Sequence, residues 1–173
     1  MTCIVGLIHN GRVWMGGDSS ANFEGDEIET WVNPKVFPSG EYLIGFTGSF
    51  RVGQQLQHGN HFKPLPAGHD IMGHLVTVVM PDLKKVVGKS SLDEMLIAHG
   101  GRLFKVGAEY VVSEHTDYVA VGTGKPWAQG SLHGGSGEPS SRLRRALAAA
   151  QGHCSSVRAP FVVQVSINKE TNQ

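Results

Sequence analysis

Cysteine is scarce in this chain: Cys3 and Cys154 are the only two, and they stand far apart. Two distant thiols make no disulfide framework. The N-terminus also lacks a basic segment leading into a long apolar stretch, so the expected setting is a reducing cytoplasm. No apolar run is long enough to cross a membrane. Neither sign of charge dominates, because fifteen Lys and Arg offset fifteen Asp and Glu. The broad positive field that attracts nucleic acid or anionic lipid is therefore missing. There is no phosphate-cradling loop of the Gly-x-x-x-x-Gly-Lys-Ser/Thr type, so any use of ATP would fall to a partner. No Gly/Ser/Pro-rich linker, internal repeat or low-complexity tract divides the pattern, and residues 1–173 read as a single domain with a sizeable core.

Histidine, by contrast, is plentiful at nine. His58, His61, His69 with Asp70, and His74 invite a metal reading, but His69 and His74 are five apart and no Cys pair joins them. Two ligands on one helical face need a separation of about four. Surface or interface histidines are the expectation.

Short apolar runs at 3–9 and 12–17 flank Asn10-Gly11, a strong hairpin signal that makes Thr2 the start of an edge of a tight hairpin. A polar stretch from Asp18 to Asn33 follows. Lys35-Val36-Phe37 and Tyr42 to Phe46 then bracket a Pro38-Ser39-Gly40 turn, giving a second hairpin. Helical spacing begins after Ser49 with Phe50, Val52, Gln55 and Leu56, and resumes beyond Pro64–Gly68 with Ile71, Leu75, Val78 and Val79; Pro81 should end or kink that helix. Met95–Ala98 and Arg102–Val106 bracket His99-Gly100-Gly101 as a third hairpin, and Tyr118–Val121 is a further strand. Pro139 opens a helix carrying Leu143, Ala146, Leu147 and Ala150, with Gly152 at its stop, before a last strand at 161–165. This order lacks strict βαβ alternation and points to two antiparallel sheets packed face to face with helices outside, an α+β class.

The residue with the most chemistry is Thr2. Once Met1 is removed, its α-amine, with an unperturbed pKa of about 7.7 to 8, stands beside its own hydroxyl as base beside nucleophile. Four segments accompany it: Gly16-Gly17-Asp18, Lys35 in Asn33-Pro34-Lys35-Val36-Phe37, Gly45-Phe46-Thr47-Gly48, and Asp117 through Gly124. With Glu94–Ala98, these resemble the proteasome β-type and HslV-like threonine peptidases of the N-terminal nucleophile (Ntn) hydrolase superfamily, over nearly the whole chain.

The resemblance implies a four-layer αββα sandwich and a threonine endopeptidase that cleaves unfolded polypeptide inside a homo-oligomeric ring, single or double, fed by a separate ATP-dependent AAA+ unfoldase. Thr2 would attack the scissile carbonyl, Lys35 would lower the pKa of the Thr2 groups, and Asp18 would hold Lys35 charged. Gly45 would give a backbone N–H to the oxyanion, Thr123 would stand near the nucleophile's amine in place of the usual Ser, and Ala21, Asn22 and Thr47 would border an extended substrate. No cofactor is required on this reading. A monovalent cation, Na+ or K+, held by backbone carbonyls near Gln151, Cys154 and Val157 is a further implication. Asn33, Phe37, Leu43, Thr47 and Arg51 would border the pocket beneath the nucleophile.

One departure stands out. The family's supporting Asp after the last helix is missing from Gly152-His153-Cys154-Ser155-Ser156, where Ser155 or Ser156 would have to supply a hydroxyl. That gap keeps open a catalytically impaired ring or scaffold subunit, and the residues also allow an Ntn amidohydrolase acting on a small molecule. A sealed ring would favour polypeptide; an open monomer with a deep pocket would favour a small amide.

Overall fold

The computed structural model describes residues 2–21, 29–88 and 92–167. Strand β1 (Cys3–His9) turns at Asn10-Gly11 into β2 (Arg12–Gly17), and both turn residues take positive φ, as a two-residue hairpin of matching twist requires. Two short strands, β3 (Ser20–Ala21) and β4 (Glu29–Thr30), pair beyond Asp18. Next come β5 (Val36–Ser39) and β6 (Tyr42–Gly48). Pro38 and Ser39 lie within β5, so the turn falls at Gly40-Glu41; Pro38 is tolerated because β5 is a sheet edge.

Helix α1 (Phe50–His58) starts at Ser49, whose hydroxyl accepts from the Val52 N–H. Helix α2 (Ile71–His74) runs through a π-turn at Leu75–Val79 into α3 (Met80–Val87). Pro81 therefore does not end the helix. The wider π-turn sits immediately before it and absorbs the ladder position where Pro has no N–H to donate.

Strands β7 (Leu92–His99) and β8 (Arg102–Val106) form the third expected hairpin, followed by β9 (Val112–His115) and β10 (Tyr118–Gly122). Helices α4 (Lys125–His133) and α5 (Pro139–His153) and strand β11 (Val162–Val165) complete the order.

All pairings are antiparallel. One sheet runs β10-β1-β2-β11 and the other β5-β6-β7-β8-β9. Strand β1 is thus central and not an edge. Its continuous apolar run explains why: Cys3, Val5 and Leu7 pack toward α4 and α5, while Ile4 points at the second sheet among Val36, Leu96 and Val121. On the far side, Ile44, Phe46 and Met95 meet Val52, Leu75 and Leu83 of the other helix layer. The result is the expected αββα sandwich. The sheets approach closely at Gly17, where a Cβ would fall 3.0 Å from Val36 Cγ2 of β5.

Candidate active site

The register of β1 on β2 pairs Ile4 with Gly17, which brings Asp18 beside Cys3 at the end of the sheet. Asp18 Oδ1 accepts from the Cys3 N–H at 3.0 Å, and Oδ2 accepts from the N–H groups of Ser20 and Arg158 at 3.0 and 3.4 Å. The carboxylate is 1% exposed, and these donors replace the water it has lost. Lys35 precedes β5, where its carbonyl accepts from the Phe46 N–H at 3.1 Å. Its ammonium donates to Asp18 Oδ1 and Oδ2 at 3.1 and 3.2 Å and to Thr2 Oγ1 at 2.8 Å.

Burial of Lys35 lowers its pKa from the ordinary lysine value, with the Asp18 carboxylate pulling the other way. A charged donor is thus held on a hydroxyl oxygen in a nearly dry site. The neighbouring Cys3 thiol is pushed up to about 12 by burial and then by Asp18, so it is inert packing rather than a second nucleophile.

The other wall is the Gly122-Thr123-Gly124 turn after β10. A Cβ on Gly122 would fall 2.3 Å from the Thr2 carbonyl oxygen, at φ +88°, so glycine alone fits. The Gly124 N–H donates to that carbonyl at 3.3 Å. Thr123 Oγ1 lies 3.3 Å from both the Thr2 nitrogen and the Thr2 carbonyl, and 2.9 Å from Ser156 Oγ. One hydroxyl has one proton: if it goes to the Thr2 carbonyl, Thr2 N–H and Ser156 O–H are the donors to Thr123. Of the two candidate serines, Ser156 is buried against Thr123 and Ser155 is exposed. Cys154 Sγ lies 3.2 Å from Ser156 Oγ; burial alone would raise its pKa, but hydrogen bonding with Ser156 and Thr123 leaves it below the ordinary thiol value.

No protein-family model matches this chain, and no curated protein sequence does. Solved structures do. Thiobacillus denitrificans BPH superimposes with a TM-score of 0.79 at 21% identity, over 95% of this chain and 97% of that one. Eukaryotic HslV from Trypanosoma brucei gives 0.70 at 15% identity over 95% and 98%, and Anbu (ancestral beta-subunit) from Yersinia bercovieri gives 0.69 at 16% over 95% and 81%. The chain has the proteasome-like fold.

Within that fold the remaining expected residues separate. Gly45 is not placed to serve an oxyanion. Phe46 donates its N–H toward β5, so by strand alternation the Gly45 N–H faces β7, opposite Leu96. A Cβ on Gly45 would fall 2.6 Å from Ile4 Cγ2 and 2.7 Å from Met15 Sδ, so its small size serves the sheet–sheet contact. Gly48 closes β6 at the register shift against β7 and takes a positive φ of +86°.

Thr47 does border the cleft beside Thr2, with Asp93, Gly122, Thr123 and Lys125. Its hydroxyl is engaged at a β7 irregularity, donating to the Glu94 carbonyl at 2.7 Å and accepting from the Glu94 N–H at 3.0 Å. Ala21 is buried in β3, and Asn22 lies outside the described residues, as does Met1.

The residues expected beneath the nucleophile scatter: Phe37 and Leu43 are core, Asn33 is exposed, and Arg51 bonds Gln55 and the Val87 carbonyl. Aromatic rings stand there instead. The Phe50 ring centre is 5.7 Å from Lys35 Nζ and 4.5 Å from the Trp31 ring. Trp31 lies in the polar stretch that shows no periodicity, so no sequence signal marks it. Glu94 was likewise missed as a site residue; it accepts from Gly122 N–H at 3.0 Å and pairs with Lys105 and Lys125, and these bonds overcome burial to hold its carboxyl below the usual range.

Two of the three proposed cation carbonyls are already engaged by a side-chain cation. Cys154 O and Val157 O both accept from Arg158 Nη1, at 3.4 and 2.8 Å. Among the described residues no three His, Cys, Asp or Glu side chains gather as a metal set, and no helix is long and apolar enough to cross a membrane.

Proposed function

We propose that this chain is a threonine endopeptidase that cleaves unfolded polypeptide through Thr2 after loss of Met1, within a homo-oligomeric ring. The observation that carries this reading is the 2.8 Å contact from a buried, aspartate-paired ammonium to Thr2 Oγ1. In the first step the α-amine of Thr2 takes the proton from Oγ1 as Oγ1 bonds to the scissile carbonyl carbon. Lys35 stabilises the charge developing on Oγ1, and Gly48, rather than Gly45, presents the backbone N–H for the oxyanion. Collapse breaks the C–N bond, the α-ammonium returns its proton to the leaving amine, and an ester on Thr2 remains. Water then attacks the ester with the same amine as base, releasing the acid and restoring Thr2. Thr123, supported by Ser156, holds the amine in place.

The likeness in fold to BPH, whose structure is also known in complex with epoxomicin, and to HslV supports this reading. A separate ATP-dependent unfoldase and a cytoplasmic setting belong to the same proposal. The test is hydrolysis of fluorogenic peptides and of unfolded casein by wild type, Thr2→Ala and Thr2→Ser. Activity lost in the first variant and retained in part by the second is expected. Equal turnover by Thr2→Ala would end the proposal.

A further inference from the structure

We infer that Arg158 is a built-in cation for the loop that supports Thr2, doing in covalent form what a monovalent ion would otherwise do at the Cys154 and Val157 carbonyls. A guanidinium Nη carries two hydrogens, and Arg158 Nη1 meets two acceptors, Val157 O at 2.8 Å and Cys154 O at 3.4 Å. Those two carbonyls end one turn, closed by the Val157 N–H on Cys154 O at 3.1 Å. Ser156 lies inside that turn, and its hydroxyl reaches Thr123 Oγ1 at 2.9 Å. The main chain of Arg158 ties the same loop to the other half of the site, because its N–H points at Asp18 Oδ2 at 3.4 Å and its carbonyl accepts from Ser19 N–H at 2.9 Å. Gln151 fastens the following residue, its Oε1 accepting from Ala159 N–H at 2.7 Å.

A free ion would have to displace a tethered positive charge from the same two oxygens. Arg158 is thus a positioning residue, acting through the 154–157 turn on Ser156 and Thr123. The effect on catalysis rests on the threonine-peptidase reading, whereas the claim about the cation does not.

The experiment measures thermal unfolding of the full chain in Na+, K+ and choline chloride at equal ionic strength, for wild type, Arg158→Met and Arg158→Lys. Wild type is expected to melt at one temperature in all three salts. Arg158→Met should melt roughly 3–6 °C lower, the loss of about one charge-assisted bond in a domain of this size. Millimolar guanidinium, or Na+ or K+ against choline, should restore part of that shift, and Arg158→Lys should fall between. Labelling of Thr2 by a peptide epoxyketone should slow about tenfold in Arg158→Met and recover with guanidinium, a readout that mere loss of packing would not restore. Wild type that is stabilised by Na+ or K+ over choline, or an Arg158→Met that melts with wild type, would overturn the inference. Absence of labelling in wild type would instead count against the peptidase reading and leave the melting comparison to decide on Arg158.

Discussion

The Lys35–Asp18 pair should behave as one unit, and a double-mutant cycle of Lys35→Met and Asp18→Asn measures this. Both side chains are nearly fully buried. Removing one member of such a pair typically costs about 3–5 kcal/mol, because the other charge is stranded. For Lys35→Met the cost should sit near the low end, about 3 kcal/mol, since Asp18 keeps its backbone donors from Cys3, Ser20 and Arg158. At roughly 2–4 °C per kcal/mol, that is a fall of about 6–12 °C in Tm.

Asp18→Asn removes the influence that opposes burial at Lys35, so the lysine pKa falls further. Its folded value then lies further below the unfolded value of about 10.4, the unfolded chain binds more protons, and stability rises with pH between the two. The deficit of Asp18→Asn against wild type should therefore be largest near neutrality and shrink toward alkaline pH. The double variant buries no charge and should be more stable than the sum of the singles by about 2 kcal/mol or more, read by denaturant unfolding across pH. Single effects that add to within about 0.5 kcal/mol would refute the coupling. Because Lys35 is buried, its variants should lose stability as well as turnover.

Other outcomes follow from particular contacts. Gly122→Ala should cost about 1–3 kcal/mol for its positive φ alone and should also push the Thr2 carbonyl, so Thr2 labelling should fall further than its melting temperature suggests. Gly45→Ala should lower the denaturant midpoint by an equivalent of about 1–3 kcal/mol through overpacking on Ile4 and Met15; an unchanged midpoint would contradict the close sheet contact. Glu94 has a folded pKa below its unfolded value, so its bonds to Lys105, Gly122 and Lys125 stabilise the fold above the unfolded pKa and are lost as pH falls through the folded one. Wild type should thus lose more stability than Glu94→Gln on acidification below about pH 5, by about 1 kcal/mol, and parallel acid curves would remove Glu94 from that role.

Much of this architecture was legible because local signals agree with the tertiary result. Asn10-Gly11 and Gly100-Gly101 both adopt the positive φ that two-residue turns need, and the spacing of Leu143, Ala146, Leu147 and Ala150 places one face of α5 on β1. The buried cluster was legible only through resemblance, since nothing local distinguishes Asp18 and Lys35 from surface charges; the β1–β2 register and the start of β5 bring them together. Three kinds of feature escaped. Strand β9 is polar and at an edge, α4 is short with Gly130 inside it, and Trp31 stands in a segment without periodicity. Gly45 was misread because sheet-to-sheet packing selects glycine as strongly as backbone chemistry does. The Arg158 side chain folds back onto carbonyls that the resemblance singles out for a cation, but nothing in the sequence marks Arg158 itself.

The central claim is that Thr2 is an N-terminal nucleophile, and intact-mass analysis with epoxomicin tests it most directly. Wild-type protein should lack Met1 and gain one inhibitor mass per chain, located by digestion to Thr2, while Thr2→Ala gains none. A chain that keeps Met1 and takes up no inhibitor, or that labels equally well as Thr2→Ala, would contradict the account.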